Sequence, residues 1–262
     1  MPILHVAVIQ QASSLDSEEN RNLVRAAVGD VCSGRPEVGL VVFPEAFACD
    51  FGKPGSDVSR FAEDVDGPFV QALTEVAKEH DVNVIAGMFE RSDDPARPFN
   101  TLAVVGPDGV RATYRKIHLY DSFGYKESER LLAGDIEPVV VEVGGFEVGL
   151  MTCYDLRFPE LARELVAKGA DLLVVPAAWV AGERKVDHWR TLLRARAIEN
   201  TVYVAAAGQP GPRYTGHSMV VSPLGDDLAE AEDSDVAVLA SIDGAVLDQA
   251  RTQNPSLANR RF

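Results

Sequence analysis

The chain has 262 residues, of which 46% are hydrophobic and 25% are charged. This length and composition are typical of a globular protein with one sizeable core. Because no linker rich in Pro, Gly or Ser divides the chain, we predict one domain over residues 1–262. The net charge of −15 disfavours nucleic acid and an anionic membrane surface as partners. No apolar run approaches the length of a transmembrane helix.

The cysteine content indicates a reducing compartment. Cys32, Cys49 and Cys153 are scattered without the spacing of a zinc site, and their odd number does not suit a disulfide framework. The first ten residues lack the basic segment of a signal peptide. No cluster of His, Asp and Glu has metal-ligand spacing either. We therefore predict a cytoplasmic protein with free thiols and no metal site.

The first part of the chain alternates predicted strands and helices. Apolar runs and apolar residues at helical spacing predict, in chain order, a strand at 5–10, a helix from 17 to about 31, a strand at 39–43, a helix at 67–80 and a strand at 83–89. Residues 50–66, rich in Gly, Pro, Ser and Asp, are predicted to form a polar loop.

Two predicted hairpins interrupt this alternation. The first joins strands at 101–105 and 110–114 through Gly106-Pro107-Asp108-Gly109, which is a strong turn signal. The second joins strands at 139–143 and 147–151 through Gly144-Gly145. A polar loop at 118–138 separates the two hairpins.

Beyond the second hairpin the same signals predict further elements. In chain order they are a helix at 158–169, a strand at 171–176, a helix at 187–200 capped by Asp187, strands at 201–207, 218–221 and 236–242, and a short helix at 244–253. Near-continuous apolar strands indicate a sheet that is covered on both faces. The pattern predicts an α/β layered sandwich with a mixed sheet and no internal repeat.

Three polar residues share an unusual position, because each stands just beyond the end of a predicted strand. Glu45 follows the second predicted strand, Lys116 follows the first hairpin and Cys153 follows the second hairpin. The carboxyl ends of strands are where sites form in α/β proteins. Taken singly, Glu45 and Lys116 are also consistent with solvated charges, and Cys153 with a small core residue.

Together the three residues form a chemically complementary set. Glu45 can accept the proton of the Cys153 thiol, and the thiolate can attack a carbonyl carbon. Lys116 can stabilise the resulting oxyanion together with a backbone N–H after the nucleophile, for which we predict that of Tyr154. Because Pro159 suits the first turn of a helix, the nucleophile is predicted to lie on a strand-to-helix turn.

Five segments in this order resemble the carbon–nitrogen hydrolase, or nitrilase, superfamily. They are Val42–Ala46, Tyr114–Leu119, Cys153–Glu160, His188–Asn200 and Gly216–Gly225, and the resemblance covers essentially the whole chain. It implies a catalytic triad in the order Glu, Lys, Cys, a four-layer α-β-β-α sandwich, and a homodimer that packs helices across a two-fold axis. Because helices 158–169 and 185–200 follow buried strands, we expect them to share one outer layer.

The resemblance also implies a second glutamate in the loop after the lysine. Glu127 fits the family spacing to the Leu and Gly-Asp that follow, and Glu129 is the nearby alternative. The implied role of Glu127 is to hold the Lys116 ammonium and to orient the substrate. A buried lysine without a carboxylate partner would tend to lose its charge, so this pairing is also reasonable electrostatically.

Other polar and aromatic residues near these motifs have structural as well as functional interpretations. Trp179 stands at a strand end, where it either lines the pocket or covers the core. His118 is interpreted as structural. Asp155 and Arg157 are interpreted as groups that fix the turn around the nucleophile. The arginines of the helix at 187–200 are interpreted as a solvated or interface face; they are Arg190, Arg194 and Arg196.

The leading functional hypothesis is a cofactor-independent amidase. The segments Cys153–Glu160 and Gly216–Val221 resemble the branch that acts on small ω-amides and on deaminated glutathione. This implies a hydrolase that cleaves a non-peptide C–N bond through a thioester and releases ammonia and a carboxylate. Nitrilase and N-carbamoyl amide hydrolase activity are alternatives within the family. An acyltransferase with the same thioester and a non-catalytic interaction protein are alternatives from other classes.

Overall fold

The computed structural model describes residues 1–35, 37–122 and 124–261. Its helices are α1 (Ser17–Cys32), α2 (Pro68–His80), α3 (Pro159–Ala167), α4 (Lys185–Asn200) and α5 (Gly244–Gln253). Its strands are β1 (Ile3–Gln10), β2 (Val38–Val42), β3 (Asn83–Glu90), β4 (Phe99–Gly106), β5 (Gly109–Arg115), β6 (Asp121–Ser122), β7 (Tyr125–Lys126), β8 (Val140–Val143), β9 (Phe146–Leu150), β10 (Leu172–Ala177), β11 (Tyr203–Gly208), β12 (Met219–Val221), β13 (Asp227–Glu230) and β14 (Val236–Asp243). Short 3-10 helices cover Ser59–Phe61, Glu127–Glu129 and Cys153–Arg157.

The strands build two mixed sheets, each with six strands among the described residues. The first sheet has the order β14-β1-β2-β3-β4-β5, and β1, β2 and β3 run parallel. The second has the order β13-β12-β11-β10-β9-β8, and β9, β10 and β11 run parallel. The remaining pairs are antiparallel, and they include both predicted hairpins. The ribbon β6-β7 forms a separate pair.

The hydrophobic core shows how sheets and helices stack. The main core includes Val6 of the first sheet and Val148 of the second, and it continues to Leu193 of α4. Another core packs Val28 of α1 and Leu73 of α2 against the first sheet. The parallel strands are apolar along their whole length because both faces of each sheet are covered. The layers therefore run helices, sheet, sheet, helices, which confirms the predicted sandwich, with α3 and α4 in one outer layer.

The two halves of the chain repeat one topology. Each half has three parallel strands joined by two helices and followed by an antiparallel pair, as β1-α1-β2-α2-β3-β4-β5 and as β9-α3-β10-α4-β11-β12-β13. This repeat is one of topology, and the sequence pattern did not predict it. Packing needs only an apolar pattern along each strand and one apolar face on each helix, so two halves can share a plan without sharing residues.

Helix α4 covers the predicted range 185–200 and begins before Asp187, the residue predicted to cap it. The prediction that Asp187 caps this helix is wrong, because α4 begins at Lys185, directly after Arg184 in the left-handed conformation with φ 59°. Asp187 lies in the first turn, and its Oδ2 accepts a hydrogen bond from Arg184 Nη2 at 2.6 Å. A carboxylate is favourable both as a cap and in the first turn, so the two positions give similar sequence patterns.

Two further segments differ from the predicted elements. The expected loop at 118–138 contains the ribbon β6-β7 and a 3-10 helix at Glu127–Glu129, and Phe123 in this segment lies outside the described residues. Strand β13 was not predicted, because Asp227–Glu230 is partly exposed and carries no apolar run. Both segments are held by contacts with other parts of the chain, which local patterns do not reveal.

Candidate active site

The three predicted strand-end residues meet where the ends of the two sheets come together. Glu45 follows β2, Lys116 directly follows β5, and Cys153 follows β9. They are buried, with exposed fractions of 1%, 2% and 8%. The backbone N–H of Ala178, just after β10, donates to Glu45 Oε2 at 2.7 Å, so the end of a second-sheet strand contacts the glutamate that follows a first-sheet strand.

Lys116 is the centre of a buried charge cluster. Its ammonium nitrogen lies 2.9 Å from Glu45 Oε1, and 3.1 and 3.0 Å from the two carboxylate oxygens of Glu127. Burial is the largest influence on this ammonium and favours the neutral amine. The carboxylates of Glu127 and Glu45 together outweigh it and raise the pKa of Lys116 well above its ordinary value. Lys116 is therefore a fixed positive charge.

Glu45 is held by donors on both carboxylate oxygens. Oε1 accepts from Lys116 and from Asn100 Nδ2 at 2.7 Å, and Oε2 accepts from the Ala178 N–H. Because a carboxylate has about four lone-pair positions, the two on Oε1 are filled and one on Oε2 remains for the Cys153 thiol, whose hydrogen bond with the Glu45 side chain helps to raise its pKa. Oε2 is therefore the Glu45 atom best able to accept a proton.

Asn100 belongs to this cluster, although the sequence did not predict it. The residue is fully buried in β4, and its amide nitrogen also lies 3.5 Å from Glu127 Oε1. The backbone carbonyl oxygen of Asn100 accepts from the backbone N–H of Lys116 at 2.8 Å. The sequence signal that could have found Asn100 is an asparagine near the start of the apolar strand β4. A buried side-chain amide requires hydrogen-bond partners, so this position indicates other polar groups nearby.

The backbone at Glu45 is fixed by both sheets. A Cβ on Gly87 would lie 2.5 Å from the backbone nitrogen of Ala46, so β3 can approach this turn only with a glycine. Gln209, which follows β11, donates through Nε2 to the Glu45 carbonyl oxygen at 2.8 Å. The side chain that can act as base therefore projects from a tightly packed backbone.

Glu127 is the second buried carboxylate, whereas Glu129 is exposed. Glu127 has an exposed fraction of 2%, against 72% for the Glu129 side chain. The Tyr120 N–H donates to Glu127 Oε2 at 2.6 Å, which fixes the carboxylate against the segment that leads into the β6-β7 ribbon. Burial raises the pKa of Glu127, and the ammonium of Lys116 opposes this rise. Both Glu127 oxygens have donors.

Cys153 lies on a strained turn between β9 and α3. Its φ of 48° is in the left-handed region, which residues with a Cβ seldom adopt and which requires support from the surroundings. Asp155 gives that support, because its Oδ2 accepts from the Thr152 N–H at 2.9 Å. As predicted, Pro159 begins the following helix. The N–H of Tyr154 lies in the first turn of the 3-10 helix, where amides have no helical partner.

The environment of Cys153 favours the protonated thiol. Burial, followed by the Glu45 carboxylate, raises the pKa of Cys153 well above its ordinary value, and Lys116 opposes this rise without cancelling it. A thiol in this state is a weak nucleophile and needs a base during attack. Glu45 is the carboxylate with the largest influence on the thiol and has an open position on Oε2.

His118 is not placed to be that base. Its ring stacks on Phe158 with centroids 3.8 Å apart, and its Nδ1 lies 2.8 Å from Asp155 Oδ1. His118 is not among the residues that line the cavity at Cys153. This geometry agrees with the structural interpretation of His118.

Cys153 opens into a cavity of about 650 Å³, a size typical of small-molecule sites. Aromatic rings form much of its wall, namely those of Tyr120, Tyr125, Tyr154, Trp179 and Tyr214. Trp179 also packs on Trp189 at 5.4 Å between ring centroids, so it both lines the pocket and covers the core. Among the residues that the structure describes, no group of three His, Cys, Asp or Glu side chains could hold a metal ion.

Arg157 lines the cavity, and the prediction that it fixes the turn is wrong. Its guanidinium carbon lies 4.9 Å from the centroid of the Trp179 ring. Its Nε and Nη2 are buried without a hydrogen-bond partner in the described part of the chain. Arg196 holds the turn instead: it is buried, and its Nε and Nη2 donate to the Leu156 carbonyl oxygen at 3.2 and 2.8 Å.

The other two arginines of α4 bind carboxylates of the same chain. Arg190 Nε lies 2.5 Å from Glu230 Oε1, and Arg194 Nε lies 2.9 Å from Asp227 Oδ1. Both carboxylates belong to β13, so these ion pairs connect the outer helix to the edge strand of the second sheet. The expected solvated face of α4 is thus partly engaged by β13.

Comparison with known proteins agrees with this geometry. The family model described as carbon-nitrogen hydrolase matches residues 5–252. A deaminated glutathione amidase from Escherichia coli O157:H7 is 39% identical, with 86% of each chain covered. The chloroplastic omega-amidase of Arabidopsis thaliana is 36% identical over 95% of this chain and 70% of that protein. The crystal structure of a CN-hydrolase superfamily protein from Xanthomonas campestris, with an arsenic adduct in its active site, has 31% identity and a TM-score of 0.89, and the match covers 100% of this chain and 98% of that one.

These similarities extend over nearly the whole chain and not over one motif. They include the fold, since the Xanthomonas campestris protein superposes over all of this chain. The named relatives are amidases, and this chain is an amide-hydrolysing enzyme of the same kind. The chain belongs to the carbon–nitrogen hydrolase, or nitrilase, superfamily and is similar to its omega-amidase and deaminated glutathione amidase branch.

Proposed function

We propose that this enzyme hydrolyses a small amide that carries a carboxylate, and that the reaction passes through a thioester on Cys153. The observation that carries the proposal is the buried contact of Lys116 with Glu45 and Glu127 beside the thiol. A base, a cation and a soft nucleophile in one buried cluster are the groups needed for addition to an amide carbonyl. The named activities of the amidase relatives support the same chemistry.

In the acylation half-reaction, Cys153 Sγ attacks the carbonyl carbon of the amide. Glu45 Oε2 accepts the thiol proton as the C–S bond forms. The Lys116 ammonium and the Tyr154 N–H stabilise the negative charge on the carbonyl oxygen. Glu45 then transfers its proton to the amide nitrogen, the C–N bond breaks, and ammonia leaves. The acyl group remains on Cys153 as a thioester.

In the deacylation half-reaction, water takes the place of ammonia. Glu45 accepts a proton from the water as its oxygen attacks the thioester carbon. Lys116 and the Tyr154 N–H stabilise the second oxyanion in the same way. The C–S bond then breaks, the proton on Glu45 returns to the sulfur, and the product leaves as a carboxylate. Glu127 transfers no proton in either half-reaction, because its role is to hold Lys116.

The cations around the cavity support a substrate with a carboxylate. They are Arg130, Arg157, Arg184, Lys185 and Arg213, in a chain of net charge −15. Arg130 donates to the Phe51 carbonyl oxygen, Arg184 donates to Asp187, and Arg213 donates to Asp50. The buried Nε and Nη2 of Arg157 have no acceptor among the described residues. Burial of such donors is unfavourable unless a ligand supplies the acceptors, and a carboxylate matches a guanidinium.

Ammonia release from matched amides tests this proposal. Succinamate carries a carboxylate, and butyramide has the same chain length without one. We expect the wild type to prefer succinamate and related ω-amides of dicarboxylic acids. Arg157→Met should lower kcat/KM for these anionic amides by about 10–100-fold, since charged hydrogen bonds contribute roughly 1.5–3 kcal/mol, and should leave neutral amides nearly unchanged. Cys153→Ala should release no ammonia. An inactive wild type across the panel would contradict the amidase proposal.

The same panel separates the alternative activities. Nitriles and N-carbamoyl compounds included in it would give ammonia only if the enzyme accepts them, and hydroxylamine as an acceptor would reveal acyl transfer. Mass spectrometry of enzyme quenched during turnover should show an acyl adduct on Cys153. An adduct on another residue would overturn the proposed nucleophile.

We also propose that the chain forms a homodimer and acts as one catalytic domain. The family resemblance supports the dimer, as do the exposed apolar side chains of Ile198 on α4 and of Leu224, with exposed fractions of 47% and 54%. Apolar side chains exposed near each other on an outer layer are common at protein interfaces. Light scattering at micromolar concentration should give twice the chain mass, and a monomer mass would count against the dimer.

A cytoplasmic location is proposed from the thiols. The three cysteines are free, and Cys49 and Cys153 are buried. No helix in the described ranges has the length and apolar character needed to cross a membrane. Thiol titration of protein isolated from its native cell should find all three cysteines reduced, and a disulfide between any two would refute this location.

A further inference from the structure

The carboxylate of Asp155 joins the segment of the lysine to the turn of the cysteine. Asp155 is fully buried, with an exposed fraction of 0%. On the cysteine side, Oδ2 accepts from the Thr152 N–H at 2.9 Å. On the lysine side, Oδ2 accepts from the Tyr114 hydroxyl at 2.6 Å, and Oδ1 lies 3.0 Å from the His118 backbone nitrogen and 2.8 Å from its Nδ1.

These partners closely flank the reacting groups. Tyr114 and His118 lie two residues before and two residues after Lys116, and Thr152 immediately precedes Cys153. The two segments follow strands of different sheets, β5 and β9, so no strand ladder fixes one relative to the other. The Asp155 carboxylate is therefore a direct polar link between them, and the His118 ring stacked on Phe158 reinforces it.

We propose that Asp155 is a positioning residue that sets the distance between the Lys116 ammonium and the Cys153 sulfur. A buried carboxylate is costly unless donors satisfy it, and a cap for the 3-10 helix would require only the contact with Thr152. The additional bonds to Tyr114 and His118 serve the alignment of the lysine with the nucleophile. A displacement of about 1 Å at such a site can cost on the order of 10² in rate. This inference rests on the proposed function.

Graded variants test the link. We expect Asp155→Asn to lower kcat by about 10–100-fold with little change in KM, because alignment affects the transition state more than substrate binding. Tyr114→Phe removes one bond on the lysine side without changing the shape of the ring, and it should lower kcat several-fold. The double variant should be no slower than Asp155→Asn alone, because both changes remove the same link.

Alkylation of Cys153 by iodoacetamide provides a readout that needs no substrate. Lys116 lowers the pKa of the thiol, so a lysine that has moved away should leave the pH profile of alkylation shifted upward in Asp155→Asn and in Tyr114→Phe. A purely structural role would lower the melting temperature without moving this profile.

Asp171→Asn is the matched control. Asp171 precedes β10, far from its catalytic end, and its Oδ1 accepts from Arg251 Nη1 at 2.8 Å. This variant should lose stability and keep the wild-type kcat and alkylation profile. The proposal is overturned if Asp171→Asn loses as much kcat as Asp155→Asn, or if Tyr114→Phe, which should fold even where Asp155→Asn does not, keeps both the wild-type kcat and the wild-type profile. An active wild type with unaffected variants refutes the positioning role alone, whereas an inactive wild type refutes the proposed function.

Discussion

The two halves of the molecule share a topology but supply different parts of the candidate site. The first half carries the charged groups, with Glu45 after β2 and Lys116 after β5. The second half carries Cys153, the proposed nucleophile, after β9. The first-half equivalent of β9 is β1, which ends in Gln10, a buried residue that only bonds to neighbouring backbone. One plan thus gives a reactive group in one half and a structural group in the other.

The halves also hold their functional side chains differently. Glu45 and Lys116 are fixed by a hydrogen bond to each other, Glu45 also by Asn100 and Lys116 also by Glu127. Cys153 is fixed through its backbone, whose left-handed conformation directs the side chain. The segments that follow the equivalent strands β2 and β10 contact each other, because the Ala178 N–H donates to Glu45. The difference indicates that the buried charges need partners to stay ionised, whereas the backbone orients the thiol, which still needs a base during attack.

The largest expected effect comes from the second half. Cys153→Ala should lower turnover by at least about 10⁴-fold, since removal of a nucleophile leaves only binding and the oxyanion donors. The fold should remain, because the side chain adds little to the core. Cys49→Ala is the control from the first half, where Cys49 packs in a small apolar cluster and is not among the residues that line the cavity. Its kcat should equal that of the wild type, and a loss similar to that of Cys153→Ala would remove the contrast between the halves.

Loss of the base should come next in size. Glu45→Gln keeps the shape of the side chain but removes its charge, and it should lower kcat by up to about 10⁴-fold, because Glu45 acts in both half-reactions. The same change should lower the pKa of Cys153, since the carboxylate raises it, and so accelerate alkylation by iodoacetamide at pH 7. Parallel measurement of ammonia release and alkylation checks both effects. Slower alkylation would show that Glu45 does not oppose the thiolate.

Removal of the central cation should affect both rate and stability. Lys116→Ala should lower kcat by about 10²–10³-fold through the lost oxyanion donor. It should also destabilise the fold by about 3–5 kcal/mol, because two buried carboxylates lose their cation. A carboxyl whose pKa is raised in the folded state binds its proton more tightly there than in the unfolded chain. Lowering the pH from 7 protonates and neutralises such a buried carboxyl, so the destabilisation caused by Lys116→Ala should become smaller. Urea unfolding at several pH values measures it. Lys126→Ala, at an exposed ion pair, should change neither quantity.

The smallest expected effect separates the two neighbouring glutamates. Glu127→Gln should lower kcat by about 10-fold or more, because Lys116 loses one of its two carboxylates and with it part of its alignment. Glu129→Gln should leave kcat unchanged, because that side chain is exposed. Equal kinetics for the two variants would contradict the role of Glu127 as the partner of Lys116.

Local patterns in the sequence predicted most of the fold and the centre of the site. The strands and the helices α1, α2 and α3 follow from apolar runs and helical spacing, and Pro159 marked the start of α3. The positions of Glu45, Lys116 and Cys153 beyond strand ends were visible because a strand end is a local feature. The wrong cap at Asp187 and the missing strand β13 have the same origin, since neither boundary has a distinct local signal.

Contacts between distant segments could not be read in this way. The sequence did not predict the role of Asn100, because that role consists of contacts with Glu45 and Glu127, which lie far from it in sequence. The contact of Arg196 with the turn was missed for a similar reason, and Arg157 was assigned to the turn in its place. Arg157 is close to Cys153 in sequence and was therefore interpreted as holding the turn. The packing of α4 instead brings the more distant Arg196 to the Leu156 carbonyl oxygen.

The sequence by itself identified the residues that we propose to carry the chemistry, because residue type and strand position are local properties. It also determined the layered architecture, because apolar periodicity selects which faces are buried. Only the tertiary structure decided which groups touch. The donors around Glu45, the raised pKa of the Cys153 thiol and the lack of partners for Arg157 Nε and Nη2 among the described residues all depend on distances between distant segments. Hydrogen bonds and electrostatic interactions act over a few ångströms, and the fold alone sets those separations.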